Sequence, residues 1–344
     1  MLSAAFMSPS AMPSAHASEA PASGEEASEL LRLDALVRVD WQNTSTDGHN
    51  IRSNSGFEGK YLMFRLDGRI TEGLTYSWRQ RLNKLHFDSS FFDATDWIYL
   101  NYSVAGWNFQ AGKEVVAIGG WEYDRHPADL FATSVFWNSV PCYQLGVSAG
   151  YDITKSDRLT FQVTQSPFFT TADRDMYGYS LLWNGTHGIY SAIWSANLFE
   201  YARGKYISYL SLGNRFSYGN VALEVDFMNR AASGQTFFFK DCSVISELSW
   251  RPGSRWRLHG KFSYDVNRTD KMADLCVLPG TEMKMAGGGV EFYPLAKRRT
   301  SLRLHAGCYY SWGENANTAD IWQNKTLFAT VGLTWDMNIL SISK

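Results

Sequence analysis

No apolar run in this chain of 344 residues approaches the roughly 20 residues that a membrane-spanning helix requires. A preponderance of one charge is also missing. The 32 Lys and Arg against 34 Asp and Glu leave a net charge of -2 and an isoelectric point near 6.4. Such a balance supplies no strong field for nucleic acid, so none is expected as a partner. Cysteine is scarce and widely spaced, at Cys142, Cys242, Cys276 and Cys308, which excludes a CxxC zinc or redox pair. The usual catalytic signatures are absent too: no HExxH, no GxSxG, no phosphate-binding loop and no dinucleotide fingerprint. Gly287-Gly288-Gly289 lies inside a strand pattern, where glycine relieves crowding or permits a bend. The seven histidines show no metal spacing, and His259 and His305 fall on polar strand faces. No catalytic residue, metal site or cofactor is expected.

What the chain does have is aromatic residues, 15% of the total, within a hydrophobic share of 45%. The mean hydropathy is nonetheless -0.27. An aromatic-rich chain without an apolar helix fits a transmembrane barrel, in which only one face of each strand meets lipid. The period from Leu31 onward is two. Leu62, Phe64, Leu66, Gly68 and Ile70 share one face, and Met63, Arg65, Asp67 and Arg69 the other. After Thr71-Glu72-Gly73 the pattern repeats, with Leu74, Tyr76 and Trp78 against Thr75, Ser77, Arg79 and Arg81.

Sixteen strands are expected, at 31–41, 58–70, 74–83, 96–103, 106–116, 142–152, 158–166, 176–184, 188–199, 205–213, 220–230, 242–250, 256–266, 282–292, 300–311 and 324–336. The weakest is 205–213, where Ile207 and Tyr209 compete with Leu210 and Leu212 for the apolar face. Short connections carry Glu72-Gly73, Ala105-Gly106, Lys155-Ser156-Asp157, Gly185-Thr186, Tyr218-Gly219, Pro252-Gly253 and Lys297-Arg298. Most of the others are long: 42–57, 84–95, 117–141, 231–241, 267–281 and 312–323. Short periplasmic turns alternating with long external loops, with an even strand count, place both termini on the periplasmic side. Trp107, Trp183, Trp250, Trp256 and Trp335 fall on the apolar face beside the short turns. Tyr143, Tyr177, Tyr264 and Tyr310 fall there near the long loops, completing two aromatic girdles. The alternative is a soluble β-protein with scattered core aromatics. The cysteines read as ordinary small residues, although Cys242 and Cys276 lie near neighbouring outer loops and could pair in an oxidising compartment.

The organisation expected is a flexible leader or signal-peptide remnant over 1–29 and a barrel over 30–344. The leader is rich in Ala, Ser and Pro, and Ala15-His16-Ala17 fits a signal-peptidase pattern, although a basic n-region is missing. Two features stand out within the barrel. The first is a basic row on the polar faces of the first three strands: Arg32, Arg38, Arg65, Arg69, Arg79 and Arg81. Strands about 4.8 Å apart would gather these into one inner patch that favours anions. Pairing with Asp34, Asp40 and Asp67 would instead make them a stiffening ladder. Further round the channel lining come Arg257, Lys261 and Arg303, offset by Glu224, Asp226 and Glu247.

The second feature is the connection 117–141, too apolar for a free external loop. Folded into the lumen as the third external loop, it would place Glu122, Asp124, Arg125 and Asp129 at the constriction. Packing against its neighbours outside is the other reading. On face parity, Leu159, Phe161, Val163, Leu223, Val225, Phe227, Leu302 and Leu304 should meet lipid, and Gln162, Glu224, Arg257 and Arg303 the lumen.

The run from Gly112-Lys113-Glu114 to Leu130, with Gly119-Gly120-x-Glu122-Tyr123-Asp124-Arg125-x-Pro127-x-Asp129-Leu130, resembles the Gram-negative outer-membrane porins of the phosphate-selective porin O and P type. Phe91-Phe92-Asp93-Ala94-Thr95-Asp96-Trp97, Asn138-Ser139-Val140-Pro141 and Val331-Gly332-Leu333-Thr334-Trp335 are similar to that family as well. The resemblance runs from about residue 31 to the end. It implies a 16-stranded barrel in the bacterial outer membrane, often a homotrimer, with an inward third loop and passive diffusion without a cofactor. Two departures matter. The loop carries Glu122, Asp124 and Asp129 where phosphate-selective members have basic residues, and the chain closes on Ser341-Ile342-Ser343-Lys344 without a terminal aromatic. The function expected is a porin for small polar solutes with weak anion preference, its partners being the bilayer and those solutes. The rivals are a barrel enzyme such as a lipase or protease, for which no nucleophile–base motif is present, and a non-conducting binding or adhesion barrel.

Overall fold

The computed structural model describes residues 29–84, 90–170, 172–295 and 302–343. Residues 1–28 of the expected leader and the Lys297-Arg298 turn lie outside these residues, and Glu29 already belongs to the first strand. Strand β1 (Glu29–Thr46) is followed by a two-residue stub, β2 (His49–Asn50), and then by β3 (Gly56–Thr71), β4 (Leu74–Arg81), β5 (Thr95–Val104) and β6 (Trp107–Val115). The chain continues through β7 (Tyr143–Asp152), β8 (Asp157–Gln165), β9 (Tyr177–His187), β10 (Tyr190–Ala202), β11 (Lys205–Tyr218) and β12 (Val221–Ala232). It closes with β13 (Asp241–Trp250), β14 (Trp256–Asn267), β15 (Glu282–Phe292), β16 (Leu302–Glu314) and β17 (Thr326–Ser343). With the stub set aside, sixteen antiparallel strands form the wall. Each pairs with its sequence neighbour, and β1 closes the ring against β17 from Glu29↔Ser343 to Thr46↔Thr326. Closure satisfies every edge, which a wall in hydrocarbon requires.

The alternating residues sort as a membrane wall demands. Ile98, Leu100, Phe109, Val147, Phe161, Leu223, Leu248, Leu304 and Val331 are exposed on the outside, while Gln162, Glu224, Asp226, Glu247, Lys261 and Arg303 are buried within. Polar groups inside and apolar groups outside invert a soluble protein and leave lipid to cover the exterior. Trp107, Trp250, Trp256 and Trp335 are exposed at the short-turn ends, and Tyr177 and Tyr310 near the opposite rim. Tyr143 departs from the expected outer face. Its hydroxyl accepts from the buried Arg79, whose guanidinium carbon lies 5.5 Å from the ring centroid.

In β11, Ile207 (0% exposed) and Tyr209 (1%) turn inward. Their conflict with Leu210 and Leu212 arises because the barrel holds a second apolar region. Val116, Ile118, Phe131, Phe136, Phe168, Phe199, Met228, Met283, Tyr309, Trp322 and Phe328 form one buried cluster with them. It lies on the long-loop half of the interior. The four cysteines are free, so Cys242 and Cys276 form no disulfide here.

Candidate functional site

The cluster exists because the 116–142 connection packs against the inward side chains of the wall. It contains two short helices, α1 (Trp121–Asp124) and α2 (Val135–Ser139), with a 3-10 turn at Pro127–Asp129 between them. The path starts at Gln162 of β8, whose Oε1 accepts from the Ala117 N–H at 2.7 Å. Asn197 of β10 donates to the Ala117 carbonyl (2.7 Å), and Ser211 of β11 to that of Gly119 (2.7 Å). Gly119 and Gly120 are needed here. A Cβ on Gly119 would meet the Ile193 carbonyl oxygen at 2.6 Å, and Gly120 has φ +114. Asp226 of β12 then accepts the Trp121 and Glu122 N–H groups at 2.9 and 2.8 Å, satisfying the orphan donors where α1 starts.

The polar and charged side chains of this segment anchor it. Lys261 donates to Glu122 (2.5 Å) and to the Ala132 carbonyl (2.7 Å), and Glu122 also accepts from the Ser134 N–H and hydroxyl. Ser134 caps α2 by accepting the Trp137 N–H at 3.1 Å. His126 Nδ1 accepts the Ala128 N–H at 3.1 Å. Arg38 donates to the Ala128 and Leu130 carbonyls at 3.1 and 2.6 Å. Trp322 and Asn138 fasten the segment to the 315–325 connection, the indole donating to the Thr133 carbonyl (2.6 Å) and Asn138 to Asp320 (3.0 Å). Burial pushes the Asp320 carboxyl above its ordinary range.

Behind the segment runs a ladder of alternating charge. Arg215 holds Glu224 (2.6 Å), Arg125 bridges Glu224 and Glu247, and Arg257 bridges Glu247 and Glu291. Arg303 ends it between Glu291 (3.6 Å) and Asp129 (2.6 Å). Four guanidinium groups meet four carboxylates, so the ladder carries no net charge of its own.

The opposite arc, β1 and β3 to β5, is less covered. Arg32 pairs with Asp34 and Arg65 with Asp67, both at 2.7 Å, with the two arginine side chains 38% and 27% exposed. Arg69 is half-buried on the same face. Arg79 is buried against Asp96 (3.0 Å) and lies 3.6 Å from the Trp97 ring centroid, and Lys84 reaches the same carboxylate at 3.2 Å. Arg81 stacks over Tyr61 at 4.4 Å and has no carboxylate partner among the described residues. Seven basic groups (Arg32, Arg38, Arg65, Arg69, Arg79, Arg81 and Lys84) face five acids, Asp34, Asp40, Asp67, Asp96 and Asp336.

The expected lining residues therefore divide. Arg65, Arg69 and Arg81 stand on the less covered arc. Arg38, Arg257, Lys261 and Arg303 lie under the 116–142 segment, and Arg79 is locked into its own wall. In the segment itself, Glu122 and Asp124 are each 5% exposed and Arg125 faces the ladder. Only the side chain of Asp129, 39% exposed, is well open among those four. Pattern reading missed Asp226 as the backbone acceptor and Glu291 as a ladder member. It also missed the cluster of Arg230, Asp241 and Asp274. Apolar residues at inward positions, such as Met228 and Met283, were the available signal that something covers the wall there.

Residues 31–189 match the family "Phosphate-selective porin O and P". No curated protein sequence matches the chain. Solved structures of similar fold include an anion-selective porin from Comamonas acidovorans (13% identity, 89% of this chain and 99% of that one, TM-score 0.65). The outer-membrane OmpT of Vibrio cholerae is also similar (10% identity, 89% and 97%, TM-score 0.60). So is a mutant porin of Rh. blastica (12% identity, 90% and 100%, TM-score 0.55).

Proposed function

We propose that this chain, an outer-membrane barrel of the phosphate-selective porin O and P type, passes small polar solutes by diffusion between the 116–142 segment and the β1–β5 arc, with a weak preference for anions. The observation that carries this reading is the basic excess on that arc beside a neutral ladder opposite. Partly exposed charge on a narrow wall acts over the Debye length of about 8 Å at physiological salt, so anions gather there and cations are repelled. Most of the arginines hold a carboxylate, which leaves the surplus at about two charges and argues against tight phosphate capture. The reading assigns no reaction and no cofactor to the chain. A homotrimer is part of it.

The test is single-channel current in planar bilayers with the reversal potential measured in a salt gradient. The expected result is discrete conductance with a reversal displaced modestly to the anion side. A cation-side reversal would overturn the solute assignment. A second reading, a barrel that binds and does not conduct, draws on the apolar cluster that fills part of the interior. Absence of conductance from folded protein would select it.

A further inference from the structure

Asn229 of β12 occupies an outward position, in phase with Leu223, Val225 and Phe227, while Glu224, Asp226, Met228 and Arg230 point in. An amide turned to hydrocarbon is costly unless its hydrogen bonds are made. Asn229 is 0% exposed, because the 233–240 connection folds over the outside of the wall onto it. Its Nδ2 donates to the Phe237 carbonyl, and its Oδ1 accepts the Phe239 N–H at 3.1 Å. Phe239 has φ +59, a left-handed conformation that bulky residues rarely adopt. This strained turn brings its ring to 5.7 Å from that of Phe227 on the outer face.

The result is a run of Phe237, Phe238 and Phe239 that is 38%, 53% and 68% exposed on the lipid side of the outer rim. Basic groups stand above it. Lys240 and Lys271 are exposed and have no carboxylate partner among the described residues; Lys271 donates to the Ser233 carbonyl at 3.1 Å. The Arg268 N–H donates to the Lys240 carbonyl (2.7 Å), tying the two connections together. Glu282 offsets Arg268, and Asp270 is the other exposed acid.

We infer that this rim is a binding site for a phosphorylated, multiply acylated lipid of the outer leaflet, its acyl chains on the phenylalanine rings and its phosphate at Lys240 and Lys271. Aromatic rings suit the interfacial depth, and lysines at that level attract anionic headgroups. The same charge opposes a two-fold contact of this rim with that of a second copy, in which like charges would meet face to face. The inference rests on the outer-membrane reading above.

Native mass spectrometry of the detergent-purified full chain tests it, with bis-phosphorylated lipid A, dephosphorylated lipid A and a neutral diacyl lipid as probes. The native chain should retain the bis-phosphorylated lipid best. The double variant Lys240→Gln/Lys271→Gln should lower that retention by roughly tenfold or more and leave the neutral lipid unchanged. Phe238→Ser should weaken all three acylated probes. Should Phe238→Ser fail to fold by heat-modifiable mobility, the exposed lysine pair carries the test alone. Equal retention by the native chain and the lysine variant would overturn the inference, as would a change of oligomeric state in place of lipid loss. Conductance, measured separately, tests the porin reading and should not move in either variant.

Discussion

Two adjacent arginines, Arg79 and Arg81, show how much neighbourhood matters to a guanidinium. They share one face of one strand, yet Arg79 lies buried between Asp96, Trp97 and Tyr143 while Arg81 keeps a cation over Tyr61 without a carboxylate. Arg79→Gln leaves the buried Asp96 with Lys84 alone, and should destabilise the barrel by about 3–5 kcal/mol with little change in selectivity. Arg81→Gln should do the reverse: fold normally in a urea titration and move the reversal potential towards cations. An Arg81→Gln variant with unaltered reversal would place the ion path elsewhere. Asp226 offers a second residue-scale test. Asp226→Ala strips two buried N–H groups at α1 of their acceptor, at about 1–3 kcal/mol each. The 116–142 segment should then loosen inside an intact wall. The expected signs are proteolytic nicking within it and larger, noisier single-channel current.

At the scale of the strand, face parity decides what a substitution costs. Val225→Arg puts a guanidinium against hydrocarbon and should cost about 2–4 kcal/mol near the midplane. Glu224, its inward neighbour, is a poor control, because Arg125 and Arg215 already hold it and a third cation would break the ladder. Gln110 of β6 is inward and half-buried without an ion pair, so Gln110→Arg should cost well under 1 kcal/mol. Comparable losses for Val225→Arg and Gln110→Arg in a folding titration would contradict the face assignment. Alternation made these faces readable from residues alone wherever the inner face meets water. It failed at Ile207, Tyr209 and Tyr143, where the inner face meets other protein and follows a different chemistry.

At the scale of the whole molecule, the neutral ladder and the basic arc share one lumen, so selectivity is a difference between large opposing charges. A surplus of about two charges on a wet wall is screened by salt, since the Debye length falls from about 10 Å at 0.1 M to about 3 Å at 1 M. The anion-side reversal should therefore shrink steeply between those concentrations, while tight site binding would hold it nearly constant. Reversal potentials at both salts distinguish the two.

The sequence by itself determined the wall. A period of two, turns of alternating length and tryptophans at one set of ends specify sixteen antiparallel strands, because pleating and hydrogen-bond closure are local and repetitive. It also marked the 117–141 connection as unusual, since its apolar residues have no place on a free loop. Only the tertiary structure decided what each charge does. Glu122 and Arg125 turn out to be partners of Lys261, Glu224 and Glu247, between 99 and 139 residues away in the chain, and Asp129 alone of the four is well exposed. Ion pairing depends on which side chains closure and the folded segment bring within about 4 Å, and no spacing along one chain encodes that distance.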